Sequence, residues 1–147
     1  MSTDSAPQQS LTSILIVDDE WMMVEVMTAI LRKLRYEDVD FAADGMTAHQ
    51  MMQDKPYGLV ISDVNMEPMG GLDLLRTVRA DPSLKTTPFI LTTASRAPDT
   101  VFAAKRLGAD HYLLKPFTPK QLAEKIEIIL RRTPRMDLPN QADRPEG

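Results

Sequence analysis

The sequence contains no cysteine among its 147 residues. Disulfide bonds, thiolate nucleophiles and cysteine-bound zinc or iron–sulfur sites are therefore excluded. It also has no uncharged apolar run near the roughly 18 residues that a membrane-spanning helix requires. Its first residues have neither the basic start nor the apolar centre of a secretory signal. We therefore expect a protein of the reducing cytoplasm that does not enter a membrane.

An excess of positive charge is also absent. The chain carries 17 basic and 21 acidic side chains, which gives a formal net charge of -4. This is the wrong sign for a protein that binds nucleic acid by neutralising phosphates. We expect its partners to be other proteins or small anions, and no nucleic acid.

The composition that is present fits one folded domain. Apolar residues make up 43% of the chain, which is enough for a sizeable core, and the length fits a single domain. Both ends are polar, contain proline and have little periodic apolar content. We predict disordered tails at 1–12 and 133–147, and a folded domain at 13–132.

Short apolar runs alternate with amphipathic stretches inside the folded part, a pattern typical of βα units. Four runs are almost free of charge, as strands covered on both faces are, and a fifth carries charges and is expected near a sheet edge. The predicted strands are Ile14–Val17, Val39–Ala42 (the charged run), Leu59–Ser62, Phe89–Thr93 and Tyr112–Leu114. The predicted helices are Met23–Leu34, Met46–Gln53, Gly71–Arg79, Asp99–Leu107 and Leu122–Leu130, with Asp99 as a candidate N-cap.

The predicted fold class is α/β, with a doubly wound parallel sheet of five strands joined by right-handed crossovers. Ligands of such sheets bind beyond the carboxyl ends of the strands. Five polar residues occupy those ends: Asp18 and Asp19 after the first strand, Asp63 after the third, Thr93 closing the fourth, and Lys115 after the fifth. We expect three carboxylates, a hydroxyl and an ammonium group to converge.

This set of groups predicts phosphoryl chemistry with a divalent cation. Two unit charges about 4 Å apart repel by about 4 kcal/mol at an effective dielectric constant of 20, so clustered carboxylates need cations. Lys115 supplies one cation, and a ligand set of oxygens alone suits Mg²⁺. A carboxylate is also a nucleophile toward phosphorus, and forms an aspartyl phosphate. Taken singly, such residues are most often helix caps, but five at strand ends together favour a site.

The motifs that surround these residues resemble a known family. They are Asp18-Asp19, the run Val60-Ile61-Ser62-Asp63-Val64-Asn65-Met66, Thr93-Ala94, and Tyr112-Leu113-Leu114-Lys115-Pro116-Phe117. In order and spacing they resemble the CheY-like receiver domain of two-component response regulators, over roughly residues 13–132. The resemblance implies a flavodoxin-like (βα)5 fold with strand order 2-1-3-4-5.

The resemblance also implies roles for residues at the acidic end of the sheet. Asp63 is implied to be the phosphoacceptor, which takes a phosphoryl group from a sensor histidine kinase or a histidine phosphotransfer protein. Asp19, Asp63 and the backbone carbonyl of Asn65 are implied to hold Mg²⁺, with Asp18 orienting its water shell. Lys115 is implied to contact a phosphoryl oxygen, and the Lys115-Pro116 peptide bond is implied to be cis.

The same resemblance implies a switch that transmits phosphorylation to a protein target. Thr93 is the implied hydroxyl that moves toward the phosphoryl group, and Tyr112 the ring that responds. Thr92 is the alternative hydroxyl, but alternation puts Thr92 and Thr93 on opposite faces of the strand, and only Thr93 precedes the alanine that matches the family. The implied partner face comprises Val101, Lys105, Tyr112, Lys125 and Ile128.

Two departures from the family pattern lie in the loop after Asp63. The usual proline is replaced by Glu67, with Pro68 one position later, and Gly70-Gly71 stands where Asp-Gly is more usual. We expect a differently shaped loop, in which Glu67 either adds charge beside the metal or points into solvent. Trp21 either lines the acidic pocket or packs on the first helix.

Three functions remain in competition at this point. The leading one is a stand-alone signalling switch of the chemotaxis or phosphorelay type, which is not an enzyme beyond its own phosphorylation and dephosphorylation. A haloacid-dehalogenase-type phosphohydrolase also uses Asp, Mg²⁺, Thr and Lys, but needs an Asp where this chain has Asn65. A receiver-shaped interaction module that is never phosphorylated is the third.

Overall fold

A computed structural model describes residues 12–132 of the chain. The five strands are β1 Ser13–Val17, β2 Asp38–Ala42, β3 Leu59–Asp63, β4 Phe89–Thr93 and β5 His111–Leu114. The five helices are α1 Trp21–Lys33, α2 Gly45–Asp54, α3 Gly71–Ala80, α4 Pro98–Leu107 and α5 Pro119–Arg132. The predicted tails lie outside the described residues, apart from Thr12. No helix between residues 12 and 132 is long and apolar enough to cross a membrane.

All five strands pair in parallel, in the order β2-β1-β3-β4-β5. The predicted fold class and strand order are thereby confirmed. Every residue of β3 and β4 is buried, as expected of central strands covered on both faces. The charged strand β2 lies at an edge, as predicted.

Alternation along the strands divides the apolar side chains between two cores. Ile14, Ile16 and Ile90 pack against helices α1 and α5, and we call this cluster the α1/α5 core. Leu15 and Leu91 pack on the other face against α2, α3 and α4, in the α2/α3/α4 core. Helices therefore cover both faces of the sheet, and the carboxyl ends of its strands form the edge where ligands of such sheets bind.

The prediction that Asp99 caps α4 is wrong. The N-cap is Ala97, which makes no side-chain hydrogen bond, and Pro98 occupies the first turn. Proline suits that position because its fixed φ matches the helix and its missing N–H would have no partner there. Asp99 instead lies within the first turn, where a negative charge is favoured by the helix dipole. The helix ends at Gly108, whose left-handed φ of 92° favours glycine.

Arg79 of α3 ties three chain segments together at the amino end of the sheet. Its guanidinium donates hydrogen bonds to the backbone carbonyls of Gly108 (3.0 Å), Lys85 (2.9 Å) and Thr87 (2.7 Å). It also pairs with the carboxylate of Asp110 at 3.1 Å. Because Gly108 ends α4, this network fixes that end of α4 to α3 and to the turn before β4.

The edge strand β2 carries a separate charged cluster. The Lys55 ammonium lies 2.8 Å from Oδ1 of Asp38 and 3.0 Å from Oδ2 of Asp40. The hydroxyl groups of Ser13 and Tyr57 each donate to one of these carboxylates at 2.6 Å. The hydrogen bond from Lys55 is the main reason that the pKa of Asp38 is lowered.

Candidate functional site

The ammonium group of Lys115 joins two of the predicted carboxylates. Its Nζ lies 3.1 Å from Oδ2 of Asp18 and 3.2 Å from Oδ1 of Asp63. Asp18 follows β1, Asp63 ends β3 and Lys115 follows β5, so this side chain reaches across the end of β4. Three strand ends that are remote in sequence therefore meet at one point.

Three carboxylates form a potential cation site beside this ammonium. Oxygens of Asp18, Asp19 and Asp63 lie within 4.8 Å of one another. Asp18 and Asp63 are buried, whereas Asp19 is exposed and leaves the cluster open to solvent. Both oxygens of Asp18 already accept hydrogen bonds, one from the backbone N–H of Glu20 at 2.9 Å and one from Lys115. The donor set contains oxygen only, so the residues present fit Mg²⁺.

Burial and neighbouring charges together shift the pKa values of the two central groups, Asp63 and Lys115. Burial raises the pKa of Asp63, and the neighbouring Asp18 and Asp19 raise it further against the opposing effect of Lys115. Burial alone would lower the pKa of Lys115, but the Asp18 and Asp63 charges outweigh it and the net pKa is raised. Three carboxylates against one ammonium group leave an excess of negative charge that a divalent cation would balance.

Backbone hydrogen bonds hold the strand ends in register around the site. The N–H of Val64 donates to the carbonyl of Thr92 at 2.9 Å, and the N–H of Lys115 donates to the carbonyl of Thr93 at 2.8 Å. The N–H of Gly71 at the start of α3 donates to the carbonyl of Val64 at 2.9 Å. The ends of β3, β4 and β5 thus form one connected frame.

Gly70 and Gly71 allow the loop after β3 to pack against the strand that carries Asp63. A Cβ added to Gly71 would lie 2.2 Å from the Asp63 carbonyl oxygen, and one added to Gly70 would lie 2.5 Å from the Val64 carbonyl oxygen. No side chain fits at either distance without a shift of the backbone. The glycine pair therefore serves close approach of the chain to the acidic residue.

The two adjacent threonines at the end of β4 differ in their surroundings. Ile90 belongs to the α1/α5 core and Leu91 to the α2/α3/α4 core, so alternation places Thr92 on the first face and Thr93 on the second. The strand register sets Thr92 opposite Asp63. The Thr92 hydroxyl is buried and has no hydrogen-bond partner, whereas the Thr93 hydroxyl accepts from the N–H of Ser95 at 3.0 Å.

Ser95 connects the two residues of the predicted switch. Its N–H donates to the hydroxyl of Thr93, and its carbonyl accepts from the Tyr112 hydroxyl at 3.0 Å. A displacement of Thr93 would therefore be transmitted to Tyr112 through Ser95 alone. Sequence reasoning missed Ser95, because a serine in a loop carries no signal of such a contact.

Comparison with known proteins decides the family. The model of the response regulator receiver domain family matches residues 14–127. The chain belongs to this family. It is 41% identical over 119 residues to the chemotaxis protein CheY of Pseudomonas aeruginosa, covering 81% of this chain and 96% of that protein. The chemotaxis protein CheY-3 of Vibrio cholerae is 38% identical over 119 residues, with 81% and 92% covered.

Solved receiver structures have the same fold. A response regulator from Chloroflexus aurantiacus superposes with a TM-score of 0.78 at 35% identity, covering 82% of this chain and 98% of that one. The receiver domain of a sensor histidine kinase from Pseudomonas aeruginosa superposes with a TM-score of 0.75 at 27% identity and the same coverage. That structure contains a magnesium ion coordinated in its active-site cleft.

The receiver's loop after Asp63 contains both departures from the family's sequence pattern, Glu67-Pro68 and Gly70-Gly71. The Glu67–Pro68 peptide bond is cis, and so is the Lys115–Pro116 bond, as the resemblance implied. Glu67 is exposed, which fits the solvent-facing interpretation of its side chain. Asn65 is also exposed in this loop, and the role of its carbonyl stays a prediction.

The residues predicted as a partner face lie on α4, β5 and α5 of the receiver. Lys105 is exposed and Ile128 is 43% exposed, whereas the other three are half-buried: Val101, Tyr112 and Lys125. Sequence reasoning missed Phe102 of α4, which is 61% exposed beneath the guanidinium of Arg106, 5.7 Å from its ring centroid. The use of this face stays a prediction.

Trp21 packs against the edge strand of the receiver. Its ring meets that of Phe41 edge-on, with 6.2 Å between centroids, and 61% of the residue is exposed. Both rings line a cleft of about 380 Å³ between α1 and β2. The contact that orients this tryptophan is therefore made with β2, which neither of the two predicted placements included.

Proposed function

We propose that this receiver is a phospho-accepting signalling switch in which Asp63 takes a phosphoryl group from the phosphohistidine of a sensor kinase or a histidine phosphotransfer protein. One observation carries the proposal: the Lys115 ammonium lies 3.1 Å from Asp18 and 3.2 Å from Asp63. A buried carboxylate beside an ammonium group and an acidic cluster is an arrangement suited to in-line phosphoryl transfer.

The transfer balances as a displacement at phosphorus. An oxygen of the Asp63 carboxylate forms a bond to phosphorus, while the bond between phosphorus and the donor's imidazole nitrogen breaks. That nitrogen keeps the electron pair. Lys115 stabilises the negative charge on the phosphoryl oxygens from a fixed position.

Mg²⁺ is the proposed cofactor, held by Asp19 and Asp63 with the carbonyl of Asn65, while Asp18 orients its water shell. When bound, the ion would offset charge on the transferring group. The full engagement of both Asp18 oxygens with Glu20 and Lys115 supports its indirect role.

The proposed output is a change in affinity for a protein target on the face that contains Lys105 and Ile128. A swing from 1:99 to 99:1 between inactive and active states needs about 5.5 kcal/mol. A hydrogen bond from Thr93 to a charged phosphoryl oxygen supplies roughly 1.5 to 3 kcal/mol of this. The contacts of Ser95 with Thr93 and Tyr112 support this route from Asp63 to α4 and β5.

The test is phosphorylation by acetyl phosphate in the presence of Mg²⁺, followed by intact-mass measurement. The wild type should gain one acid-stable, base-labile phosphoryl group, and Asp63→Asn should gain none. Asp73→Asn is the matched control, because Asp73 is an exposed aspartate of α3, paired with Arg76. Removal of Mg²⁺ with EDTA should abolish the added mass.

The competing functions give different results in the same assay. Unchanged labelling of Asp63→Asn would contradict the assignment of the phosphoacceptor. Absence of labelling in the wild type, with every donor tried, would favour an interaction module that is never phosphorylated. Steady turnover of added phosphomonoesters would favour a phosphohydrolase, which Asn65 argues against because that class needs a second aspartate there.

A further inference from the structure

Among residues 12–132, the Thr92 hydroxyl is the one fully buried polar side-chain atom without a hydrogen-bond partner. The residue is 0% exposed. A buried hydroxyl left unpaired destabilises a protein, whereas valine has nearly the same shape and carries no such cost. The hydroxyl is therefore a buried donor that can pair with an acceptor newly formed beside it.

The sheet places this hydroxyl beside the phosphoacceptor. Thr92 is the register partner of Asp63 on the neighbouring strand. Ile61 and Ile90, two residues before each of them, both belong to the α1/α5 core. Thr92 and Asp63 are therefore register partners on neighbouring parallel strands, with side chains on the same face of the sheet.

The present partner of the Asp63 carboxylate is Lys115, whose ammonium lies 3.2 Å from Oδ1. Phosphoryl transfer uses one carboxyl oxygen for the new bond and places the negative charge on the phosphoryl oxygens. The ammonium is then attracted outward to those oxygens. The carboxyl oxygen that remains on Asp63 loses a donor in a buried position.

We propose that Thr92 is a positioning residue for phosphorylated Asp63. Its hydroxyl donates a hydrogen bond to the carboxyl oxygen that Lys115 releases. The Thr92 hydroxyl and the released carboxyl oxygen of Asp63 belong to neighbouring strands, so one hydrogen bond between them pairs both groups. The inference rests on the proposed function, and it gives Thr92 a role separate from that of Thr93, whose hydroxyl lies on the other face and already accepts from Ser95.

The experiment compares Thr92→Val, which removes only the hydroxyl, with Thr92→Ser, which keeps it. Beryllofluoride in excess Mg²⁺ is the phosphoryl mimic, and its affinity is measured by titration. Thr92→Val should bind beryllofluoride about tenfold more weakly than wild type, equivalent to about 1.4 kcal/mol. Thr92→Ser should bind it within about twofold of wild type.

A second readout needs neither metal nor mimic. In urea without Mg²⁺, Thr92→Val should unfold at a higher midpoint than wild type, because an unpaired buried hydroxyl has been removed. Thr92→Ser should unfold at a lower midpoint, because it leaves a methyl-sized cavity. A more stable protein that binds the mimic less well is a combination that loss of packing cannot produce.

Two results would overturn the inference while leaving the proposed function intact. One is equal beryllofluoride affinity in wild type and Thr92→Val, and the other is a loss in Thr92→Ser as large as that in Thr92→Val. Failure of the wild type to bind beryllofluoride or to accept phosphate on Asp63 would instead contradict the proposed function, and the inference would fall with it.

Discussion

Replacement of Arg79 by methionine should destabilise the protein more than any other substitution of an α3 side chain that lies outside the core. The variant loses hydrogen bonds to three backbone carbonyls and the ion pair with Asp110. Asp110 also accepts a hydrogen bond from the N–H of Phe89 at 2.8 Å. Loss of the Arg79 ion pair therefore also weakens the attachment of the start of β4. The side chain of Arg79 is only 21% exposed, which limits how far water can replace these bonds.

The expected magnitude follows from these contacts. Hydrogen bonds that involve a charged group contribute roughly 1.5 to 3 kcal/mol each, but they are not additive. Removal of one partner from a buried ion pair costs about 3 to 5 kcal/mol, and partial exposure of Arg79 and Asp110 favours the lower end. We expect a loss of about 3 kcal/mol, which lowers Tm by about 12 °C at roughly 4 °C per kcal/mol for a domain of this size.

Urea unfolding followed by circular dichroism measures this loss, and Arg76→Met is the matched control. Arg76 precedes Arg79 by one helical turn and pairs with Asp73, but both side chains of that pair are 61% exposed. Such pairs contribute at most about 1 kcal/mol. Arg79→Lys keeps the charge without the forked geometry and should lie between the two. Equal losses in Arg76→Met and Arg79→Met would refute the reasoning.

Four further predictions concern single residues. Thr93→Ala should still accept phosphate on Asp63, but most of the beryllofluoride-dependent shift of the Tyr112 ring resonances should disappear, as followed by NMR. Gly71→Ala should lose roughly 1 to 3 kcal/mol of stability in urea and label more slowly, because its Cβ would lie 2.2 Å from the Asp63 carbonyl oxygen. Arg35→Gly should gain about 0.5 to 1 kcal/mol in urea, because Arg35 has a left-handed φ of 77°. Asp38→Asn should be less stable than wild type near neutral pH, with the difference shrinking below about pH 4, since a lowered pKa stabilises the fold only while the group is ionised.

Each of these has a contrary outcome. An undiminished Tyr112 response in Thr93→Ala would show that a residue other than Thr93 couples Asp63 to Tyr112. Wild-type stability and labelling in Gly71→Ala would show that the loop shifts to accommodate the added methyl group without loss of stability. A loss of stability in Arg35→Gly would mean that the Arg35 side chain contributes more to stability than its left-handed backbone conformation costs. A difference for Asp38→Asn that does not shrink at all as the pH is lowered from about 5 through 4 toward 2 would show that packing, and not charge, is responsible.

Four of the strands were predictable because their residues are largely apolar on both faces, and β2 because its charged run suits a sheet edge. All five were placed to within one residue at each end, and four of them gained one polar or aromatic residue, such as Asp63 on β3 and His111 on β5. These residues pair through the backbone, which hydropathy does not report. The acidic residues and Lys115 were predictable as a group, because parallel strands end at the same edge of a sheet.

Contacts that depend on tertiary packing were not predictable. Nothing in the sequence distinguishes Arg79, which binds three carbonyls, from Arg76, which is exposed. The same holds for Ser95 and for the unpaired hydroxyl of Thr92, because their surroundings depend on strand register. The predicted cap at Asp99 was wrong because Pro98 took the first helical position, which moved the cap to Ala97.

The contact between Lys115 and Asp18 joins residues that are 97 positions apart in the chain. During synthesis the carboxylates of Asp18 and Asp63 emerge from the ribosome long before the ammonium that balances them. A nascent chain that has formed only β1 to β3 must therefore hold like charges together without Lys115, which opposes early closure of this end of the sheet. Docking of β5 adds the fifth strand of the sheet and brings in the ammonium that offsets this repulsion, so completion of the sheet is coupled to assembly of the acidic site.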